Sequence, residues 1–234
     1  MLTMTDPRDD DAGGPRSQTS WAYEVIRRDI LSGRHVPEKK LKIQDLAEEL
    51  GVSPGAVREA LSRLVPEQLV VSRDQRGFAV APLSIADLED LTDLRCEIEA
   101  IALRRSVERG DIDWEAGILA AEHRLRAQSI TLDGPEPVLN PDWVVSHAAF
   151  HTALVAACDS RRLLQLHAQL YEQSERYRGL SVHTENDRNV GDEHKEIVQF
   201  ALARDADKLV NAMVEHIRTT TELIVGAARN RMAA

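Results

Sequence analysis

Apolar residues recur every three or four positions along most of the chain, which is the spacing of amphipathic helices. Three helices are predicted near the N-terminus, from about Ser20 to Ser32, from about Gln44 to Leu50 and from Pro54 to about Leu64. Gly33 and Gly51 follow the first two, and Ser53 is placed to cap the third, with Pro54 at its first helical position.

Two short apolar runs follow this third helix, Leu69–Ser72 and Phe78–Ala81. The polar, glycine-ending segment between them is typical of a turn, so the two runs predict a small β-hairpin. We identify no other convincing strand in the sequence. Two helices, a tight turn and a following hairpin together indicate a winged helix-turn-helix.

A second helical pattern begins after Pro82. Six helices are predicted, starting near Ser84, Asp113, Asn140, Ser160, Asn189 and Asp205. Ser84 and Asp87 are spaced like a capping box, and Thr131–Pro141 is predicted to be a loop. The predicted fold class is mainly α, with an N-terminal winged helix-turn-helix and a C-terminal all-helical bundle. The domains are expected at residues 1–19 (a disordered arm), 20–82 and 83–230.

The composition excludes several protein classes. The chain has 234 residues and no apolar run long enough to cross a bilayer. Its first residues lack the basic and apolar segments of a secretory signal, and two cysteines provide no disulfide framework. We therefore expect a cytoplasmic protein that does not contact membranes.

The net charge of −10 would disfavour a nucleic-acid partner if it were spread evenly. It is not evenly spread. Residues 21–80 carry ten basic and nine acidic side chains, whereas residues 81–234 carry a net charge of −9. The acidity therefore belongs to the second domain, and the first can still bind double-stranded DNA.

The segment from Asp45 to Leu61 carries the DNA-binding signal. A recognition helix presents its first residues to base edges, and a wing with a basic tip reaches phosphate or the minor groove. The alternative is an ordinary helical hairpin with the same apolar spacing. We expect DNA contacts from Gln44, Ser53, Gly55, Ala56, Arg58, Ser62, Arg63, Arg73, Arg76 and Gly77.

Four histidines are candidate metal ligands. His147 and His151 are spaced i,i+4 on one predicted helix, and His194 and His216 lie on the last two. Such histidines can build a metal site inside a bundle, although each by itself is more often a surface or hydrogen-bonded core residue. Spacing alone does not bring the last two beside the first pair. Imidazole nitrogens favour Zn²⁺, or Ni²⁺ as an alternative.

The N-terminal motifs resemble the GntR family of bacterial regulators. The matching pieces are Leu50-Gly51-Val52-Ser53 and the run Val57-Arg58-Glu59-Ala60-Leu61. The resemblance implies that Arg58 contacts DNA. The chain departs from the family at Pro54, where an arginine is usual, so its operator sequence cannot be transferred from relatives.

Residues 84–228 resemble the FadR-type effector domain of this family, in its FCD form. The matching pieces are Arg95-x-x-Ile98-Glu99, His147-x-x-Phe150-His151, Glu193-His194-x-x-Ile197 and His216-Ile217. The resemblance implies a metal held by three histidines and often an aspartate. His147 occupies the aspartate position, which leaves either a four-histidine site, suited to Zn²⁺ or Ni²⁺, or a three-histidine site.

Effector recognition is the remaining expectation from this resemblance. The stretch from Ser174 to Arg178 resembles the branch containing the CsiR and VanR regulators, which respond to carboxylic acids. Arg95 would clamp an effector carboxylate, with Glu99 and Arg176 as further candidates. The alternative for Arg95 and Glu99 is a surface i,i+4 ion pair.

The predicted function is a homodimeric, ligand-responsive transcriptional regulator that binds a palindromic operator, with repression relieved by a small organic acid. A regulator that senses metal alone is the main alternative. A metalloenzyme with a DNA-binding appendage is disfavoured, because the chain contains no His-Glu-x-x-His motif. We therefore predict that the protein is not an enzyme.

Overall fold

The chain is described from a computed structural model over residues 17–31, 33–73, 77–132, 138–178 and 188–233. Contacts between Cα atoms divide the chain into two units, with the boundary after Pro82. Each unit has a hydrophobic core of its own. Within the described residues, no helix combines the length and apolar character that crossing a membrane would require.

The first unit contains three helices and a three-stranded sheet. Its elements are α1 (Gln18–Leu31), β1 (Lys40–Leu41), α2 (Ile43–Leu50), α3 (Pro54–Leu64), β2 (Val70–Arg73) and β3 (Gly77–Val80). The strand order is β1-β3-β2 with both pairings antiparallel, and Ala79 of the central strand lies opposite Lys40 and Val71. The winged helix-turn-helix predicted from the sequence is confirmed.

The turn before α3 forms as its residues require. Gly51 adopts a left-handed conformation with φ of +64°, which a glycine adopts without steric cost. The Ser53 hydroxyl then accepts a hydrogen bond from the Ala56 backbone N–H at 3.3 Å, and Pro54 occupies the first helical position. The left-handed Gly51, the capping Ser53 and Pro54 at the first helical position therefore together fix the direction in which α3 begins.

Two local predictions in this unit were wrong. α1 starts at Gln18 rather than after Ser20, because the Ser17 hydroxyl accepts from the Ser20 backbone N–H at 3.1 Å and caps the helix. β1 was not predicted at all. A strand of two residues shows no alternation in sequence, and pairing with β3 alone defines it.

The second unit is the predicted helical bundle. Its helices are α4 (Ile85–Arg109), α5 (Ile112–Arg126), α6 (Pro141–Val155), α7 (Arg161–Arg178), α8 (Val190–Leu202) and α9 (Ala206–Ala233). The bundle is not purely helical, since β4 (Thr131–Leu132) and β5 (Val138–Leu139) form a two-stranded ribbon within the predicted loop. The ribbon precedes α6, and Leu139 of β5 packs against the helical core.

The core of the bundle forms where the inner faces of α4, α5, α6, α8 and α9 meet. Phe150, Leu154, Ile197 and Met213 are fully buried there. The start of α4 departs from the predicted capping box. The Ser84 hydroxyl accepts from the Asp87 N–H, but the Asp87 carboxylate accepts from the Tyr177 hydroxyl at 2.7 Å instead of closing the box. This contact ties the start of α4 to the end of α7.

Replacing either of two glycines of the bundle by alanine should change the free energy of unfolding, in opposite directions. A Cβ at Gly110 would lie 2.3 Å from Trp114 Cε3, and Trp114 is a buried side chain that donates from its indole N–H to the Leu154 carbonyl. Gly110→Ala should lower the free energy of unfolding by about 1–3 kcal/mol through overpacking. Gly117 lies exposed within α5 with open space around its Cα, so Gly117→Ala should raise it by about 0.5–1 kcal/mol.

Urea unfolding followed by circular dichroism measures both values. Shifts of the same sign in the two variants would contradict the packing described around Trp114.

Candidate nucleic-acid interface and metal centre

Several of the predicted DNA contacts of the first unit lie together. Gln44, Gly55, Arg58 and Gly77 line one open surface depression, which Lys40 and Lys42 also border. The Arg58 side chain is exposed, one turn from the start of α3. The depression therefore combines the N-terminus of α3, which attracts phosphate, with three cationic side chains.

The other predicted contacts differ in what they do. Ser53 is exposed but caps α3, and the exposed Ser62 donates to the Arg58 carbonyl at 2.9 Å. The Arg63 guanidinium lies 4.5 Å from the centre of the Tyr23 ring, so it packs against α1. Arg73 is described only by its backbone in β2, and Arg76 lies outside the described residues.

Ala56 does not lie as its predicted DNA contact requires. The residue is 7% exposed, whereas a contact with a base needs an outward side chain. Ala56 precedes Ala60 by four residues, and side chains with that spacing share a helix face. Since Ala60 is fully buried, Ala56 lies on the inner face as well.

Sequence reasoning missed Gln18. Its side-chain carbonyl accepts from the Ser53 backbone N–H at 3.0 Å, so α1 holds the residue that caps α3. The two residues are 35 positions apart, and no local pattern marks such a contact. The position of the helix N-terminus that faces the depression therefore depends partly on α1.

The four candidate histidines of the second unit meet in its core. His147 and His151 come from α6, His194 from α8 and His216 from α9, and all four are at most 4% exposed. One ring nitrogen from each lies within 4.8 Å of the others. The Nε2 atoms of His147 and His151 are 3.2 Å apart. The helices therefore bring together the residues that spacing alone could not.

Outer hydrogen bonds orient two of these rings. His147 Nδ1 lies 2.7 Å from the Tyr171 hydroxyl, and the ring stacks on Trp143 with centroids 4.4 Å apart. His216 Nδ1 lies 2.7 Å from a Glu193 carboxylate oxygen. A partner at Nδ1 fixes the ring and directs Nε2 toward the centre, as in many metal sites.

The electrostatics keep the rings neutral. Burial is the largest cause, and it lowers the pKa of His194 to about 2 and that of His216 to about 4. Burial also lowers the pKa of His147 and of His151 well below the usual range. A neutral imidazole has the lone pair that a metal ligand needs.

Glu193 is a charged partner in this neutral cluster. Burial raises its pKa, but hydrogen bonds from Arg188 and His216 outweigh burial and bring the pKa down to about 2. Arg188 donates to both carboxylate oxygens at 2.6 Å. The sequence indicated Glu193 only as part of a matching motif, whereas the structure places its carboxylate 2.7 Å from His216 Nδ1.

The donor set fits a borderline divalent ion. The Nε2 atoms of His194 and His216 are buried and have no hydrogen-bond partner among the described residues. Zinc–nitrogen distances of about 2.0–2.1 Å place two ligands of a tetrahedral site about 3.3 Å apart. The His147–His151 distance of 3.2 Å is close to this value, whereas the four nitrogens as a set lie within 4.8 Å of one another. An ion accepting these lone pairs would satisfy groups that are otherwise costly to bury.

A small cavity with a mixed polar and apolar lining adjoins the histidine cluster. Arg95, Arg178, Ser174, Thr220 and His216 are among the residues that line it. Arg95 is 4% exposed, so its i,i+4 ion pair with Glu99, with 3.7 Å between Nη2 and Oε1, forms in the interior and not on the surface. The Arg95 guanidinium donates to the Ser174 hydroxyl at 2.7 Å and lies 4.8 Å from the centre of the Tyr171 ring. The cavity therefore places a buried guanidinium beside one of the four histidines.

Two predicted effector contacts lie elsewhere. Glu99 is buried behind the cavity, where its carboxylate lies 3.1 Å from His167 Nε2. Arg176 is half-buried near the Tyr177 ring and does not line the cavity, whereas Arg178 does. Two residues along a helix lie on nearly opposite sides, so only one of these arginines can face the cavity.

Two family descriptions match this chain. "Bacterial regulatory proteins, gntR family" matches residues 18–80, and "FCD domain" matches residues 90–219. The HTH-type transcriptional regulator BphR of Paraburkholderia xenovorans (strain LB400) is 39% identical, over 89% of this chain and 86% of its own length. The HTH-type transcriptional repressor GlaR of Escherichia coli (strain K12) is 35% identical, over 86% of this chain and 93% of its own length.

Solved structures show the same fold. E. coli McbR/YncC matches with a TM-score of 0.74 over 90% of this chain and 98% of that one, at 19% identity. A transcriptional regulator GntR from Rhodococcus sp. RHA1 matches with a TM-score of 0.71 over 91% and 99%, at 20% identity. At these identities the structural similarity supports the fold alone.

The Glu193–His216 contact predicts an effect on metal affinity. Were zinc to occupy the candidate centre, Glu193→Gln should weaken its binding about 10- to 100-fold, because a neutral amide would replace the charged acceptor beside His216. Competition with a coloured chelator measures the dissociation constant. Glu215→Gln is the matched control, because Glu215 precedes His216 on α9 and is exposed. Equal affinities in the two variants would contradict the role given to Glu193.

Proposed function

The chain belongs to the GntR family and carries an FCD domain, and on this basis we propose that it is a homodimeric repressor that responds to a divalent metal and a small carboxylic acid. The family makes it a DNA-binding transcriptional regulator with an effector-binding domain, and its relatives are regulators rather than enzymes. The observation that carries the proposal is the convergence of four buried histidines beside a cavity lined by buried arginines.

The metal in this proposal is Zn²⁺, with Ni²⁺ as the alternative. Imidazole ligands suit both ions, whereas Mg²⁺ and Mn²⁺ favour carboxylate and water oxygens. Of the two arrangements left open by the sequence, we favour four histidine ligands over three. Supporting this, His147 Nε2 lies as close to His151 Nε2 as two ligands of one ion would. In such a centre the metal would act as a Lewis acid toward an anionic ligand.

The acid would bind in the cavity beside the metal. Arg95 has two guanidinium nitrogens, Nε and Nη2, without a hydrogen-bond partner among the described residues, and a carboxylate matches such donors. Because His216 belongs to both the cluster and the cavity lining, a carboxylate held by Arg95 would lie next to the metal. The two guanidinium nitrogens that lack a hydrogen-bond partner among the described residues favour this interpretation over a regulator that senses metal alone.

The DNA-binding part of the proposal places two recognition helices about one turn apart on a palindromic operator, which requires a homodimer. Binding of the acid would favour one arrangement of the two DNA-binding units over another. GlaR is named a repressor, which supports repression as the basal state. A cytoplasmic location belongs to the same proposal, because the operator is there.

Thermal melting tests the metal and acid components together. Zinc should raise the melting temperature of the wild type and not that of His151→Ala, because binding to the native state alone stabilises it. A panel of small mono- and dicarboxylates should raise it further only when zinc is bound. His123→Ala is the control, since His123 is exposed on α5.

Identical zinc responses in His151→Ala and His123→Ala would refute the metal centre. A zinc response without any response to the acids would refute acid binding and would support a regulator that senses metal alone.

Operator binding provides a separate prediction. Arg58→Ala should weaken binding to selected operator fragments about 5- to 150-fold, the equivalent of losing about 1–3 kcal/mol from one base or phosphate contact. Gel-shift titration at fixed salt measures it. The exposed Arg28 of α1 lies outside the depression, so Arg28→Ala is the matched loss of one charge. Equal weakening by both variants would show that Arg58 contributes only net charge.

A further inference from the structure

One buried carboxylate lies between the arginine of the cavity and a histidine of the metal centre. Glu99 is 1% exposed, and its Oε1 atom lies 3.1 Å from His167 Nε2 and 3.7 Å from Arg95 Nη2. The same oxygen lies 3.9 Å from His151 Nδ1, which is beyond hydrogen-bonding distance. Neither the metal centre nor the cavity lining includes this carboxylate.

Three unpartnered atoms surround this position. Among the described residues, His151 Nδ1, Arg95 Nη2 and Glu99 Oε2 are buried without a hydrogen-bond partner. A metal at the Nε2 atoms would satisfy His194 and His216, but it would leave Nδ1 of His151 unsatisfied on the far side of the ring. Buried polar groups are usually paired, so this second set needs its own explanation.

A bound metal would determine which nitrogen of His151 carries the ring proton. When His151 donates the Nε2 lone pair to a metal, its ring proton lies on Nδ1, which faces Glu99. A carboxylate that accepts this proton would make the imidazole a stronger ligand. His147 and His216 already have such outer partners in Tyr171 and Glu193. Of the two remaining ligands, His151 has a carboxylate facing its Nδ1 just beyond bonding distance.

We infer that Glu99 is a positioning residue that couples acid binding at Arg95 to metal binding at His151. This inference rests on the proposed function. Arg95 holds the Glu99 carboxylate through an ion pair, and an acid that binds the guanidinium releases it. The released carboxylate accepts from His151 Nδ1 and tightens the metal. By thermodynamic reciprocity, the metal tightens the acid by the same factor.

A double-mutant cycle with zinc alone tests the coupling, because Arg95→Gln removes the ion pair as a bound acid would. The zinc dissociation constants of the wild type, Glu99→Gln, Arg95→Gln and the double variant are measured by chelator competition. Glu99→Gln should weaken zinc binding about 10- to 100-fold in the Arg95→Gln background and much less in the wild type, where the ion pair holds the carboxylate away from His151. Arg95→Gln should tighten zinc binding when Glu99 is present. In the Glu99→Gln background, the same substitution should change the zinc dissociation constant by a factor about ten times smaller.

An equal effect of Arg95→Gln in both backgrounds would overturn the inference, because the loss of one positive charge would then account for it. Wild-type protein that binds no zinc would refute the proposed metal centre instead, so the two failures are distinguishable. Glu97→Gln is the control, since Glu97 is exposed on the same helix. Should Arg95→Gln not fold, an equal tightening of zinc binding by the panel of small carboxylates in Glu99→Gln and Glu97→Gln would overturn the inference.

Discussion

The burial of four imidazole rings in the centre of one helical bundle is the constraint on which the second unit depends. Each ring carries a nitrogen that must be paired when water is excluded, and the Nε2 atoms of His194 and His216 have no partner among the described residues. Buried nitrogens that stay unpaired lower the stability of the core. Phe150 and Trp143 pack directly against these rings, so the apolar core and the polar centre are one assembly.

The outer contacts of the four rings connect the centre to the rest of the bundle. Tyr171 on α7 reaches His147, and Glu193 on α8 reaches His216 on α9. Glu99 on α4 approaches His151 and also contacts Arg95, which lines the cavity. Helices α4 and α7, which contribute none of the four histidines, therefore still contact the centre. In the proposed function, such a network would give a bound acid a physical means of changing how the helices pack.

The sequence predicted most of the helices, because caps and helical periodicity are local properties. Ser53 and Ser84 cap the helices that they were expected to cap. The features that the sequence did not predict depend on contacts between residues that are distant along the chain. β1 exists only because it pairs with β3, and Gln18 reaches Ser53 across 35 positions. The grouping of His194 and His216 with the α6 pair rested on family resemblance, and the burial of Arg95 and Ala56 was not expected. The assignment to a branch that responds to carboxylic acids stays a prediction.

X-ray absorption spectroscopy of the zinc-loaded protein tests the central claim most directly, because it reports the type and distance of the atoms bound to the metal. The four-histidine centre predicts four nitrogen neighbours at about 2.0–2.1 Å, with the outer scattering pattern of imidazole rings. His147→Ala should reduce the imidazole contribution to three rings. A spectrum dominated by oxygen neighbours, or one unchanged by His147→Ala, would contradict the account.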